Sequence, residues 1–278
     1  MKKRRDLRIN LGKEESLTAV ANQPKPPIIP LCAEMTLSAL SPLEVYTEVK
    51  RDCGFILESV EGSEKIARYS FIGIDPVFVA TIGESVDIRG SEPFASIASD
   101  PEGANHIDKI RSILSRFHYV NIRAPRFFGG MVGYFAYDCV STLYDKVGPA
   151  SALKKSDMEE AGHDARFMLA KDCIIFDYIE KKLYLFSSPF LTYDSDPAAE
   201  YDRAVGTIKR MRETLERIAS AGLQKSPRQS TSDAVQPAFT SPTTQGEFMR
   251  SVERIKENIA AGDIFQAVVS RRMEFDAG

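Results

Sequence analysis

The stretch Phe55–Pro76, FILESVEGSEKIARYSFIGIDP, constrains the fold more than any other part of this 278-residue chain. It reads as strand, charged loop, strand. Side chains alternate across a strand, so Phe55, Leu57 and Ser59 share one face and Ile56, Glu58 and Val60 the other. Both faces are mostly apolar, the pattern of a strand covered on both sides. Glu58 and Ser59 then place a carboxylate and a hydroxyl where hydrophobes belong. Burying such groups unpaired costs about 1–3 kcal/mol or more, so each requires a partner. The following loop carries Gly62 and alternating charge, and Arg68, Tyr69 and Ser70 open the second strand. Two arrangements satisfy these groups. Glu58 can pair with Arg68 across a hairpin while Ser59 bonds a backbone group, or acid, hydroxyl, guanidinium and phenol can together hold a small zwitterion.

Residues 1–30 are polar and then proline-rich (PKPPIIP), which predicts a loose tail and an extended segment. Ser41, Pro42 and Glu44 form a helix start, with serine as cap, proline at the first position and the glutamate reaching back. That helix is expected to run to Arg51 with Leu43, Tyr46 and Val49 on its apolar face. Val77–Ile82 and Ser85–Arg89 continue the strands as a meander turning at Gly83. A helix is expected over Asn105–Phe117, where Ile107, Ile110, Leu114 and Phe117 form one stripe. Arg126–Asp138 (RFFGGMVGYFAYD) has glycines in GGxxG spacing. It lacks the glycine pattern, the lysine and the capped helix of a nucleotide site, so the glycines point to close backbone packing or a bulge in a buried strand. Residues 141–165 read as an exposed excursion. Arg166–Asp177 and Lys182–Ser187 read as a hairpin turning at Tyr178–Lys181, and Pro197–Ala221 as a long helix striped by Tyr201, Val205, Ile208, Met211, Leu215 and Ile218.

The predicted class is α+β, with mostly antiparallel sheets packed face to face, flanking helices, and an incomplete α/β domain after them. The parts are a tail (1–30), a first domain (31–221), a flexible Ser/Thr/Pro/Gln/Lys linker (222–243) and a final segment (244–278). In the last, Thr244 and Glu247 form a capping box. Phe248, Val252, Ile255 and Ile259 stripe a helix that ends at Gly262, and Ile264–Phe275 reads as a strand. One helix and one strand cannot bury their apolar faces on each other alone, so this pair either docks on the first domain or needs partners outside these residues.

With 43% hydrophobic and 27% charged residues and a net charge of -3, the composition is that of a globular protein and gives no sign of nucleic-acid or membrane binding. The basic start Lys2–Arg5 is followed by polar residues rather than an apolar core segment, and no apolar run approaches the ~18 residues a membrane helix needs. A cytoplasmic location is expected. Cys32, Cys53, Cys139 and Cys173 have no CxxC spacing and read as buried thiols. His106 and His118 flank a helix and read as surface residues, and His163 beside Asp164 is a weak acid–base hint.

Three motifs in order resemble anthranilate synthase component I. ILESVEGSEKIARYSFIGIDP is similar to the LLES…RYSFIG signature near the start of that family, and FFGGMVGYFAYD to its F-GG-VGY--YD segment. GDIFQAVVSRR is similar to the GDIFQVVLSQR segment that opens its chorismate-binding domain. The resemblance implies that chorismate, held by Mg²⁺ through its carboxylates, reacts with ammonia from a glutamine amidotransferase partner to give anthranilate and pyruvate in tryptophan synthesis. It implies a feedback site for L-tryptophan in which Ser59 is a ligand, with Glu58 beside it and Arg68 as a weaker contact. Gln266 matches a position that is lysine in the related isochorismate and salicylate synthases, where the lysine resembles a general base for water. A glutamine cannot take a proton from water at neutral pH, and ammonia needs no such base. Gln266 is therefore the catalytic candidate, beside the plainer alternative of a polar residue on a half-exposed strand. The family's Mg²⁺-binding glutamates and its remaining chorismate and tryptophan contacts are expected outside these residues, leaving this chain incomplete and inactive alone. Two other readings stay open: aminodeoxychorismate synthase component I, and a non-catalytic tryptophan-binding or partner-binding module.

Overall fold

A computed structural model describes residues 7–21, 27–37, 40–58, 68–83, 85–121, 127–143, 164–192, 194–222 and 239–275. The chain divides into two compact units, residues 1–225 and 226–278.

The first unit begins with α1 (Lys13–Val20), β1 (Pro27–Ile28), β2 (Leu31–Thr36), α2 (Pro42–Val49), β3 (Gly54–Leu57) and β4 (Tyr69–Ile74). It continues with β5 (Phe78–Ile82), β6 (Val86–Gly90), α3 (Phe94–Ala98), α4 (His106–Leu114), β7 (His118–Tyr119), β8 (Gly130–Phe135) and α5 (Val140–Leu143). β9 (Ala165–Ala170), β10 (Asp172–Asp177), β11 (Lys182–Ser187) and α6 (Pro197–Gly222) complete it. One antiparallel sheet has the order β2-β11-β10-β4-β3 and a second the order β6-β5-β9-β8, while β1 and β7 form a short parallel pair. The expected mixed class with antiparallel sheets is borne out.

The alternation of β4 shows how the layers arise. Ile72 and Ile74 point to one side and pack with Ile174, Phe176, Leu183 and Leu185 against the α6 stripe of Tyr201, Ala204, Ile208, Met211, Leu215 and Ile218. Each fully buried aliphatic or aromatic side chain of this kind contributes about 1.5–3 kcal/mol. Tyr69 and Phe71 point to the other side, into a cluster where Phe55, Cys173, Ile175 and Phe186 meet Val132, Met168 and Ala170 of the four-stranded sheet. The far face of that sheet, with Phe78, Ala80 and Leu169, is covered by Ala98, Ile113 and Phe117. β10 is buried along its whole length: Cys173–Phe176 are apolar, and the flanking Asp172 and Asp177 are buried with hydrogen-bond partners.

Several expectations are corrected. β3 is an edge strand that ends at Leu57, which is 46% exposed, so it is not covered on both sides. The capping box of Ser41 and Glu44 forms as expected, but α2 buries Pro42 and Val45 and leaves Leu43 outside. The buried face of α4 is set by His106 and Ile113, with Phe117 beyond its end, and Ile107 faces out. His106 is thus buried rather than on the surface, because its Nε2 meets the Asp164 carboxylate at 3.1 Å, whereas His118 is exposed. β8 is also an edge strand, exposed at Tyr134 and Phe135 rather than buried. The close backbone packing expected of its glycines is real: a Cβ on Gly133 would lie 2.0 Å from the Arg166 carbonyl oxygen. Arg166–Asp177 is not one strand, because the chain changes sheet at Lys171 between β9 and β10. Cys32, Cys139 and Cys173 are buried and outside any disulfide among the described residues, and burial pushes Cys32 up to about 12, but Cys53 is only half-buried. His163, residues 144–163 and most of the linker lie outside the described residues.

In the second unit, α7 (Gln245–Ala261) has its expected capping box, Thr244 with Glu247, and stops at Gly262 in the left-handed region (φ 81°). None of its residues is buried, and Ile259 is 42% exposed. The strand expected over Ile264–Phe275 does not form. Only a bridge between Thr240 and Glu274 is present, since a strand needs a hydrogen-bonding neighbour along its length and the described residues supply none.

Candidate functional site

β3 and β4 are antiparallel, with Leu57 opposite Phe71, so Glu58 and Arg68 stand at the same end of this pair. Glu58 is exposed. Ser59 lies outside the described residues, as does the whole connection 59–67.

Arg68 does not pair with Glu58. Its Nη2 donates to Asp177 Oδ2 at 2.8 Å and its Nε to both carboxylate oxygens at 3.2 Å. Asp177 also accepts from the backbone N–H of Ile179 (3.1 Å) and of Glu180 (3.0 Å), which fixes the β10–β11 turn. Burial pushes the Asp177 carboxyl up, but the guanidinium and the two N–H donors outweigh it and hold the group below the usual carboxylate range. The hydrogen bond to Asp177 in turn raises Arg68. The Arg68 Nη1 makes no hydrogen bond among the described residues.

Aromatic rings run inward from this charged end. Arg68 Cζ lies 4.8 Å from the Tyr69 ring centroid, Tyr69 and Phe71 are 5.8 Å apart, and Phe127 meets Phe71 edge-on at 5.4 Å. On the helix side of β4, the Tyr178 hydroxyl donates to Ser70 Oγ at 2.9 Å and satisfies a buried group. The arrangement thus offers a carboxylate, a guanidinium and a row of partly buried aromatic faces.

Sequence reasoning found Glu58 and Arg68 but missed Asp177. The two ion-pair partners are 109 residues apart, and no local pattern links them. Gln266 belongs to the second unit, where it is exposed. Among the described residues, no group of three or more His, Cys, Asp or Glu side chains is placed to hold a metal ion. No described helix is long and apolar enough to cross a membrane.

Curated relatives are similar along most of this chain. Anthranilate synthase component 1 of Aquifex aeolicus is 31% identical over 279 residues, 96% of this chain and 51% of the relative. That of Pseudomonas putida is 31% identical over 257 residues, 89% of this chain and 48% of the relative. The Haloferax volcanii protein of the same name is 28% identical over 286 residues, 93% of this chain and 51% of the relative. The chain therefore spans about half the length of these relatives. A solved structure, anthranilate synthase component I from Streptococcus pneumoniae, covers 86% of this chain with 48% of its own, at 21% identity and a TM-score of 0.43. The model of chorismate binding enzymes matches residues 56–278, from the second half of β3 onward. The match takes in both units and the RYSFIG, FFGG and GDIFQ segments, and the chain belongs to the family of chorismate binding enzymes.

Proposed function

We propose that this chain is the tryptophan-sensing half of an anthranilate synthase component I. The observation that carries the reading is the end of the β3–β4 pair, where the Arg68 guanidinium borders the aromatic row Tyr69–Phe71–Phe127 and Glu58 stands exposed at the same strand end. A carboxylate suits the ammonium of L-tryptophan, and the Arg68 Nη1 with the Ser59 hydroxyl suits its carboxylate. The aromatic faces suit the indole. Asp177 holds Arg68 in orientation and is not itself a ligand.

The activity proposed for the protein is conversion of chorismate and ammonia to anthranilate and pyruvate, the ammonia coming from a glutamine amidotransferase in the cytoplasm. Gln266 suits this chemistry, because a neutral amide does not generate hydroxide and so favours ammonia over water as nucleophile. When bound, Mg²⁺ would hold the chorismate carboxylates, and its ligands belong to segments that the relatives have beyond the half matched here. The domain division proposed is a regulatory domain (31–221), a linker (222–243) and the opening of the catalytic domain (244–278).

The test is incubation of the purified chain with chorismate, ammonium and Mg²⁺, followed by product separation. No anthranilate is expected from these 278 residues alone. Sustained anthranilate and pyruvate formation would overturn the division between sensing and catalytic halves. Formation of 4-amino-4-deoxychorismate without pyruvate would instead assign the chain to the aminodeoxychorismate enzyme.

A further inference from the structure

A recess lies at the opposite end of β3 from Glu58. It has a volume of about 570 Å³ and is lined by Asp52 and Cys53, just before β3, and by residues of β5, β6 and β9 with the turn that joins the first two. That size is typical of small-molecule sites. The strand register explains the lining. Thr81 of β5 stands opposite Arg166 of β9 on one side and Asp87 of β6 on the other, and Val79 stands opposite Arg89. These side chains share the face that carries Met168, which packs toward the five-stranded sheet.

The charges in this recess are unequally satisfied. Arg89 Nε donates to Asp87 Oδ2 at 2.7 Å, so those two neutralise each other. The Arg166 and Asp52 side chains make no hydrogen bond or ion pair among the described residues, and both line the recess. Among the described residues, the recess thus presents one cation without a side-chain partner from the four-stranded sheet and one such anion from the lead-in to β3. The Thr81 and Ser85 hydroxyls add donors, and Val79 and Cys53 add apolar contacts. A ligand with a single charge would satisfy one wall and leave the other unpaired, whereas a ligand bearing both charges satisfies both.

We propose that this recess binds a small zwitterion of the free α-amino acid class, its carboxylate on Arg166 and Thr81 and its ammonium on Asp52. Among the described residues the site shares no lining residue with the Glu58–Arg68 end, and the small apolar side chains of Val79 and Cys53 suit a short side chain.

The experiment is an amide chemical-shift titration of the isotope-labelled chain with L-alanine, propionate and ethylammonium, three probes with matched carbon skeletons. The expected result is a saturable shift of Thr81, Asp87 and Arg166 with L-alanine and at least ~tenfold weaker binding of each single-charge probe, the discrimination carried by one lost ionic contact. Arg166→Gln and Asp52→Asn, both at exposed positions, should each weaken L-alanine by about tenfold. Any perturbation of Arg68 by L-tryptophan should be unchanged in these variants, which separates this site from the one proposed above. Absence of a saturable L-alanine shift in the unaltered chain would overturn the proposal. So would propionate binding as tightly as L-alanine, or unchanged L-alanine affinity in Arg166→Gln.

Discussion

Replacing Asp177 tests whether it anchors the candidate site. Asp177→Ala removes the acceptor of the Arg68 fork and of the Ile179 and Glu180 N–H groups. Ile179 and Glu180 are exposed, so water can reach the freed N–H donors, and each lost bond costs about 1 kcal/mol. The Arg68 side chain is 37% exposed, and solvent screening removes most of what the ion pair itself would add. The sum is about 2–3 kcal/mol, a fall in melting temperature of roughly 5–10 °C for a domain of this size. Asp177→Asn keeps one acceptor oxygen and should lose about half as much. The pH dependence has a definite sign. The native carboxyl is held below its unfolded value near 4, so its contribution is fully present above about pH 4 and is lost as pH falls through the native value. Thermal melts of the chain and both variants between neutral and acid pH measure this. A melting temperature for Asp177→Ala within about 1 °C of the unaltered chain would refute the anchoring argument.

Asp172 carries the opposite sign. Burial raises its carboxyl despite the bond from Ser187 Oγ at 2.6 Å, so the unaltered chain loses stability as pH rises from about 4 through the native value. Asp172→Asn should match it in acid and equal or exceed it at neutral pH, as denaturant melts at the two pH values would show. At Gly73 a Cβ would lie 2.0 Å from the Phe55 ring, so Gly73→Ala should destabilise by about 1–3 kcal/mol, and Phe55→Leu in the same chain should recover part of the loss. Ile208→Ala should cost about 2–5 kcal/mol, because that α6 side chain is fully buried against the sheet, and chemical denaturation measures it directly.

What the sequence made legible follows from the range of the forces involved. The α6 stripe and both capping boxes are local, and all three form where periodicity and cap chemistry placed them. Faces were harder to read. Leu43 and Ile107 fit an apolar stripe as well as Val45 and Ile113 do, and only the sheets packed against each helix decide between them. The change of sheet at Lys171 coincides with the charged pair Lys171–Asp172 in RFMLAKDCIIFD, which strand periodicity alone does not distinguish from a polar position within one long strand. Asp177 and the buried His106–Asp164 contact join residues far apart in sequence, which periodicity cannot detect. Edge position is equally invisible, since β3 and β8 have the composition of interior strands.

The most direct test of the central claim is a fluorescence titration with L-tryptophan. The chain contains no tryptophan, so the ligand's own indole emission reports binding with little protein background. The account predicts a saturable blue shift as the indole leaves water for the Tyr69–Phe71–Phe127 row, lost in Ser59→Ala and weakened in Glu58→Gln. It also predicts no response from free indole, which lacks the charged groups that Glu58 and Arg68 would hold. L-tryptophan emission unchanged by saturating protein, or binding that survives in Ser59→Ala and Glu58→Gln alike, would contradict it.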